Sequence, residues 1–215
     1  MVKQILKELN SHAPFTVFGA ITGIIIMLMF QKLPSKTAYN IFYTLHPVHV
    51  FLSALVTAAI YKLHSCPPGK HIRGKCNLWL LFIIGYMGSV GIATISDSII
   101  PYLGEVLLNM PNRGIHLGFI EKWWLVNPLA ILGIITAYLK PSTKFPHAGH
   151  VLISTWASLF HIIMAVGGDL NMFSYVVILV FLFLAVWLPC CISDFAFPLL
   201  FVKRERSPSF NDIAH

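Results

Sequence analysis

The sequence is short of charged residues. Only 11% of its 215 residues are Asp, Glu, Lys or Arg, whereas 57% are hydrophobic and the mean hydropathy is +0.76. An ordinary globular domain carries about 25% charged residues, so this composition excludes a disordered chain, a collagen-like fibre and a typical soluble enzyme. At about 20 apolar residues per membrane-spanning helix, the hydrophobic residues suffice for six helices. We therefore predict an all-α, polytopic membrane protein with a single membrane domain over residues 1–215.

Cysteine is also scarce, with four residues in the chain. Cys66 and Cys76 flank one loop, and Cys190 and Cys191 are adjacent, so the spacings match neither a disulfide framework nor a zinc ribbon. A redox or metal role for Cys66 and Cys76 is a minor alternative, because thiols in the cytosol stay reduced. The first nine residues lack a small-residue cleavage site, so no signal peptide is predicted.

The apolar runs predict six transmembrane helices. They are separated by segments rich in Pro, Gly and basic residues, such as QKLPSK and CPPGKHIRGKC. The predicted spans are 13–31, 45–63, 78–100, 123–139, 149–166 and 172–192.

The basic residues predict the orientation of these spans. The net charge of +7 comes from residues between apolar runs, which indicates membrane topology rather than nucleic-acid binding. An inside location for both termini places 11 basic residues in the cytoplasm and four outside. The inside set is Lys3, Lys7, Lys62, Lys70, Arg73, Lys75, Lys140, Lys144, Lys203, Arg204 and Arg206, against Lys32, Lys36, Arg113 and Lys122 outside. We therefore predict an integral plasma-membrane protein with both termini in the cytoplasm.

Two pairs of segments repeat rare residues in the same order. HPVHVFLS, from His46, matches HAGHVLIS, from His147, at the start of the second and fifth predicted spans. ISDSIIPYL, from Ile95, matches ISDFAFPLL, from Ile192, at the end of the third and sixth. Matches between apolar residues mean little in such a chain, so the signal lies in the repeated His, Asp and Pro.

These matches predict an internal duplication of three helices. The first repeat covers residues 1–108 and the second covers 116–203, followed by a cytoplasmic tail at 204–215. Because three is an odd number of spans, the second copy would insert upside down. Such 3+3 inverted-topology repeats are typical of secondary transporters.

The repeated ionisable residues are candidates for function, because an Asp inside a bilayer costs about 2.5–3.5 kcal/mol. Histidines three residues apart share a helix face. Pro101 and Pro198 follow the two aspartates by four residues, which predicts a helix break at each aspartate. Two His and one Asp per half suit a borderline divalent cation such as Zn²⁺. The predicted ligands are His46, His49 and Asp97 near the outer side, and His147, His150 and Asp194 near the inner side.

Further polar residues occur once, and we treat them as secondary candidates for a collecting site or lid. They are His12, Glu105, His116, Glu121, His161 and Asp169. Each of them could also have a purely structural role, as a packing residue, a helix cap or a solvated residue at the rim. In the third span, Gly85, Gly88 and Gly91 predict a close-packing face, which leaves a homodimer through this helix as an open alternative.

Three classes of function remain open on the sequence. The first is a membrane transporter for a divalent cation or another small substrate, with its two mirrored His-His-Asp sites. The second is an intramembrane metal-dependent hydrolase acting on a lipid-like substrate, which needs only one competent site. The third is a b-type cytochrome subunit with haem ligated by His147 and His161, fourteen residues apart, and partners among His12, His46 and His49. The repeated aspartates favour the transporter over an enzyme.

Overall fold

The computed structural model describes residues 2–30, 32–65, 77–141 and 144–201, and it is all-helical over these ranges, with no strand among them. Six long helices follow the order of the six predicted spans. They are α1 Val2–Phe30, α2 Ser35–Ser65, α3 Leu78–Leu107, α4 Trp123–Leu139, α5 Lys144–Ala165 and α6 Met172–Cys191.

Within the described ranges, four helical segments are long and apolar enough to span a membrane. These are Ala13–Phe30, Ser35–Ser65, Leu78–Leu107 and Met172–Cys190. The apolar segments of α4 and α5, Trp123–Leu139 and Gly149–Ala165, are shorter. The chain thus has the helices of a membrane protein.

The second helix begins ten residues before the predicted span. It starts at Ser35, directly after Pro34, whereas the hydropathy pattern predicted a start at residue 45. A start at residue 45 would place Pro47 in the first turn of the helix, but Pro47 lies inside α2. The segment 35–44 contains polar residues that lower its hydropathy, yet these residues form regular helix against the rest of the bundle.

The distribution of polarity differs from that in a soluble protein, because many large apolar side chains are exposed while ionisable side chains are buried. On α1, the side chains of Phe18, Ile21, Ile25 and Met29 are about half or more exposed and form a stripe at helical spacing. The buried set instead includes many polar side chains, among them His46, His49, Ser53, Thr57, Ser96, Asp97, Glu105, His150, Ser154, Ser158, His161 and Ser193. An apolar exterior with ionisable groups inside is the arrangement expected in a bilayer.

Small residues bring α2, α3 and α4 close together. A Cβ atom on Gly133 would collide with the backbone carbonyl of Phe51, and one on Gly85 would lie 2.8 Å from Ile134 Cγ1. A Cβ atom on Gly88 would lie 2.8 Å from Thr57 Cγ2. The predicted glycine face of α3 therefore packs within this chain at Gly85 and Gly88. A homodimer through this face stays a prediction.

Candidate metal site in the helix bundle

Asp97 lies on a π-helical turn. Residues Ile95–Ile99 form this turn within α3, and the N–H of Ile100 donates to the carbonyl of Ile95, five residues back. Pro101 has no N–H, so in the same register it cannot bond to the carbonyl of Ser96. The predicted helix break is therefore absent: α3 continues through a widened turn to Leu107.

Asp97 is fully buried and accepts three hydrogen bonds from side chains. Its Oδ2 atom lies 2.9 Å from His46 Nδ1 and 2.7 Å from His49 Nδ1. Its Oδ1 atom accepts from the Ser154 hydroxyl at 2.8 Å. A buried carboxylate requires such partners. With both imidazoles protonated at Nδ1, one carboxylate fixes the orientation of two histidines.

The second helix also brings one histidine of each HxxH motif together. The ring of His49 stacks on the ring of His150, from α5, with centroids 5.7 Å apart and planes 15° apart. The side chains of His147, Asp194 and His12 lie outside the described part of the structure. The predicted inner site therefore stays a prediction, while the outer set of His46, His49 and Asp97 is in contact.

Cys190 lies beside this histidine stack. His49, His150 and Cys190 each offer a ligand atom, and these three atoms lie within 4.8 Å of one another. The sequence analysis missed Cys190 because it weighed cysteines by their spacing to other cysteines. The signal that could have found it is its position two residues before the repeated Ile-Ser-Asp motif.

The hydroxyl groups around the two motifs make matching contacts. In the alignment of the repeats, Ser154 corresponds to Ser53, and Ser96 corresponds to Ser193. The Ser96 and Ser154 hydroxyl oxygens are 2.7 Å apart, and those of Ser193 and Ser53 are 3.4 Å apart. Each contact thus joins the motif of one half to the histidine helix of the other.

The backbone carbonyls of the two motifs are also matched. The second motif forms a π-helical turn too, Ile192–Ala196, followed by a helical turn at Phe197–Leu200. The carbonyl of Ser96 accepts from Ser158 Oγ at 3.1 Å, and that of Ser193 accepts from Thr57 Oγ1 at 3.5 Å. Ser158 and Thr57 are equivalent in the repeat alignment. A hydroxyl from a distant helix therefore reaches the carbonyl five residues before each proline, which itself has no N–H to donate.

A second buried contact between a histidine and a carboxylate joins α3 and α5. His161 Nδ1 lies 2.7 Å from Glu105 Oε1, and both side chains are 1% exposed. The other oxygen of Glu105 accepts from the backbone N–H of Gly114 at 3.3 Å. This pair fastens the loop after α3 to the bundle.

Glu121 organises the same loop nearer the surface. It accepts from the Tyr43 hydroxyl at 2.7 Å, contacts His116 Nδ1 at 3.3 Å and accepts from the Leu117 N–H at 3.1 Å. Partial burial opposes ionisation of Glu121, but these hydrogen bonds and the His116 charge outweigh it and hold its pKa below the ordinary value.

Four histidines within the described ranges face a carboxylate through the same ring nitrogen. In His46, His49, His116 and His161 the contact is made by Nδ1. A carboxylate behind one ring nitrogen is the arrangement that orients metal-binding histidines, with the other nitrogen as ligand. The Nε2 atoms of His46 and His161 are buried without a hydrogen-bond partner among the described residues.

The remaining secondary candidate lies at the surface. Asp169 forms an ion pair with Lys32 at 3.5 Å, and both side chains are more than four-fifths exposed. An exposed pair of this kind contributes little to stability. The structure thus places Asp169 apart from the buried His and carboxylate groups.

No protein family, no curated protein and no solved structure matches this chain. What the buried residues can do chemically is therefore the basis for its function.

Proposed function

We propose that this protein is an integral membrane transporter for a divalent metal cation, with its binding site among the buried histidines. The observation that carries the proposal is the carboxylate–histidine cluster of Asp97, His46 and His49 in the interior of an apolar bundle. Burying these groups is costly, so they are expected to serve a function. Imidazole nitrogen is a preferred ligand of Zn²⁺ and similar cations.

The matched contacts support transport by two inverted halves. Ser158 and Thr57 make equivalent hydrogen bonds to equivalent π turns, from opposite halves of the chain. In transporters built from inverted repeats, the substrate binds near the repeat interface, and the halves move around it to open either side. The stacking of His49 on His150, one from each predicted half, supports a binding site between the halves. Both termini would face the cytoplasm.

Zinc entry into liposomes tests this proposal. The full chain is reconstituted with a zinc-sensitive dye trapped inside, and we expect saturable entry of Zn²⁺. Asp97→Asn should lower the rate at least tenfold, because the amide removes the negative charge that orients both histidines. Asp169→Asn is the matched control, since Asp169 is exposed, and should keep the full rate. Entry no faster than into protein-free liposomes would overturn the proposal.

A metal-dependent hydrolase is the second candidate, and one observation favours it. The His161–Glu105 pair has no counterpart in the other half, where the equivalent residues are Ile60 and Val202. A catalytic site needs an acid or base on one side only. If this candidate is correct, Glu105→Gln abolishes zinc-dependent lipid hydrolysis measured by mass spectrometry, while wild-type chain shows it. Absence of hydrolysis by the wild type contradicts it.

No contact in the described part of the structure favours the third candidate, a b-type cytochrome subunit. The ring of Phe42 stacks on His46 at 5.2 Å and meets His161 edge-on at 5.4 Å. A haem shared by these two histidines would have to displace Phe42, which is fully buried. An absorption spectrum of the purified chain checks for the Soret band of haem.

A further inference from the structure

We infer that the cation binds between the halves, to His49, His150 and the thiolate of Cys190, and that Asp97 supports this site from behind His49. This inference rests on the proposed metal-binding function and names the ligands. It assigns a new role to Cys190. It also makes Asp97 a positioning residue in place of a ligand.

Distances decide between the two overlapping clusters that contain His49. Around a tetrahedral zinc ion, with bonds of about 2.0–2.3 Å, neighbouring ligand atoms lie about 3.3–3.6 Å apart. Asp97 Oδ2 is 2.9 Å from His46 Nδ1 and 2.7 Å from His49 Nδ1. These are hydrogen-bond distances, so both histidines already use Nδ1 to bond the carboxylate. Asp97 therefore acts as an acceptor that orients both rings.

The second cluster has the room that the first lacks. Its three ligand atoms lie within 4.8 Å of one another, so shifts of about 1 Å bring them to the tetrahedral spacing. Since Nδ1 of His49 faces Asp97, Nε2 is the nitrogen left for a cation. This is the carboxylate–histidine–metal order in which an outer carboxylate fixes the ring of the ligand.

The position of the cluster suits a cation that moves between two sides. His49 lies on α2, in the first repeat, whereas His150 and Cys190 lie on α5 and α6, in the second. All three side chains are at most 5% exposed. A cation held there bridges the halves, and a relative movement of the halves changes its coordination.

The donor set also predicts which cations bind. Two imidazoles and a thiolate favour borderline and soft cations such as Zn²⁺, Co²⁺ and Cd²⁺ over Mg²⁺ and Ca²⁺, which prefer oxygen. Val151 and Val186 pack with Cys190 in one apolar cluster. The apolar surroundings keep water from competing for the cation.

Cobalt spectroscopy tests the thiolate. The full chain in detergent is titrated with Co²⁺, and a sulfur-to-cobalt charge-transfer band is expected. Cys190→Ser should remove the band and weaken binding at least tenfold, while Cys191→Ser, the matched control, should keep both. A band that persists in Cys190→Ser overturns the inference. So does Co²⁺ binding by the wild type without the band.

Protection of the Cys190 thiol by bound metal gives a second test, in which none of the proposed ligands is substituted. In the variant Cys66→Ser/Cys76→Ser/Cys191→Ser, Cys190 is the one remaining thiol. Zn²⁺ should slow its reaction with N-ethylmaleimide at least tenfold, and Mg²⁺ should not. Equal rates with and without Zn²⁺ overturn the ligand assignment. If zinc entry into liposomes persists in that case, the transporter proposal stands alone; if zinc neither enters nor binds, both fail.

Discussion

Replacing Ser158 with Ala removes the hydroxyl that serves the π turn of α3. In the structure, Ser158 Oγ lies 3.1 Å from the carbonyl oxygen of Ser96 and 2.9 Å from that of Ser154, so the two oxygens share its single proton. The Ser154 carbonyl lies within regular helix, so losing the Ser158 hydroxyl there has a small effect on stability. The Ser96 carbonyl is buried and faces Pro101 in the π register. Leaving such a group without a donor costs about 1–3 kcal/mol, so Ser158→Ala should lower the free energy of unfolding by that amount.

A double-mutant cycle with Pro101→Ala isolates this cause. The alanine introduced by that substitution supplies an N–H in the register that bonds to Ser96, so the cost of Ser158→Ala should fall by at least about 1 kcal/mol in that background. Unfolding is followed by tryptophan fluorescence as SDS is added to the protein in detergent micelles. Equal costs of Ser158→Ala in both backgrounds would refute the argument that the proline leaves this carbonyl to the serine.

Three further predictions use the same unfolding assay. Gly118→Ala should lower the free energy of unfolding by about 1–3 kcal/mol, because its Cβ would lie 2.5 Å from His46 Cδ2 and 2.6 Å from His46 Nε2. Gly114→Ala is the control and should cost less, since its Cβ would meet only an ordinary contact at 3.8 Å. Equal costs would contradict the close packing of Gly118 on His46. The pKa of Glu121 is lowered in the folded state, so its ionised form stabilises the fold above the ordinary glutamate pKa, and this stabilisation is lost as the pH falls through the folded pKa. Glu121→Gln should therefore unfold more easily than the wild type at neutral pH and equally easily in acid. A difference that does not change with pH would contradict this role of Glu121. Zn²⁺ at 100 times its Kd should stabilise the wild type by about 2.7 kcal/mol and Cys190→Ser by much less, and equal stabilisation would remove the cysteine from the site.

The apolar runs predicted the membrane helices, and the repeated His and Asp residues predicted the first cluster, for a physical reason. Histidines three apart on α2 share one face, and an aspartate near the end of the next helix can reach them. Both facts depend on local spacing and on neighbouring helices. The contact of His49 with His150 joins residues a hundred positions apart, and no spacing rule gives it.

The errors of the sequence analysis have physical causes as well. Hydropathy placed the start of α2 at residue 45 because polar residues follow Ser35, but packing against the bundle extends the helix. The expected breaks before Pro101 and Pro198 are π turns, since hydroxyl groups of Ser158 and Thr57 satisfy the backbone and the helix need not end. Such compensation by a distant helix is invisible in a local pattern.

X-ray absorption at the zinc edge tests the central claim most directly. The full chain is loaded with one equivalent of Zn²⁺, and the spectrum reports the atoms bound to the cation. The account predicts imidazole nitrogens at about 2.0–2.1 Å and one sulfur at about 2.3 Å, with the sulfur lost in Cys190→Ser. A zinc ion surrounded by oxygen alone would contradict a metal site at the buried histidines.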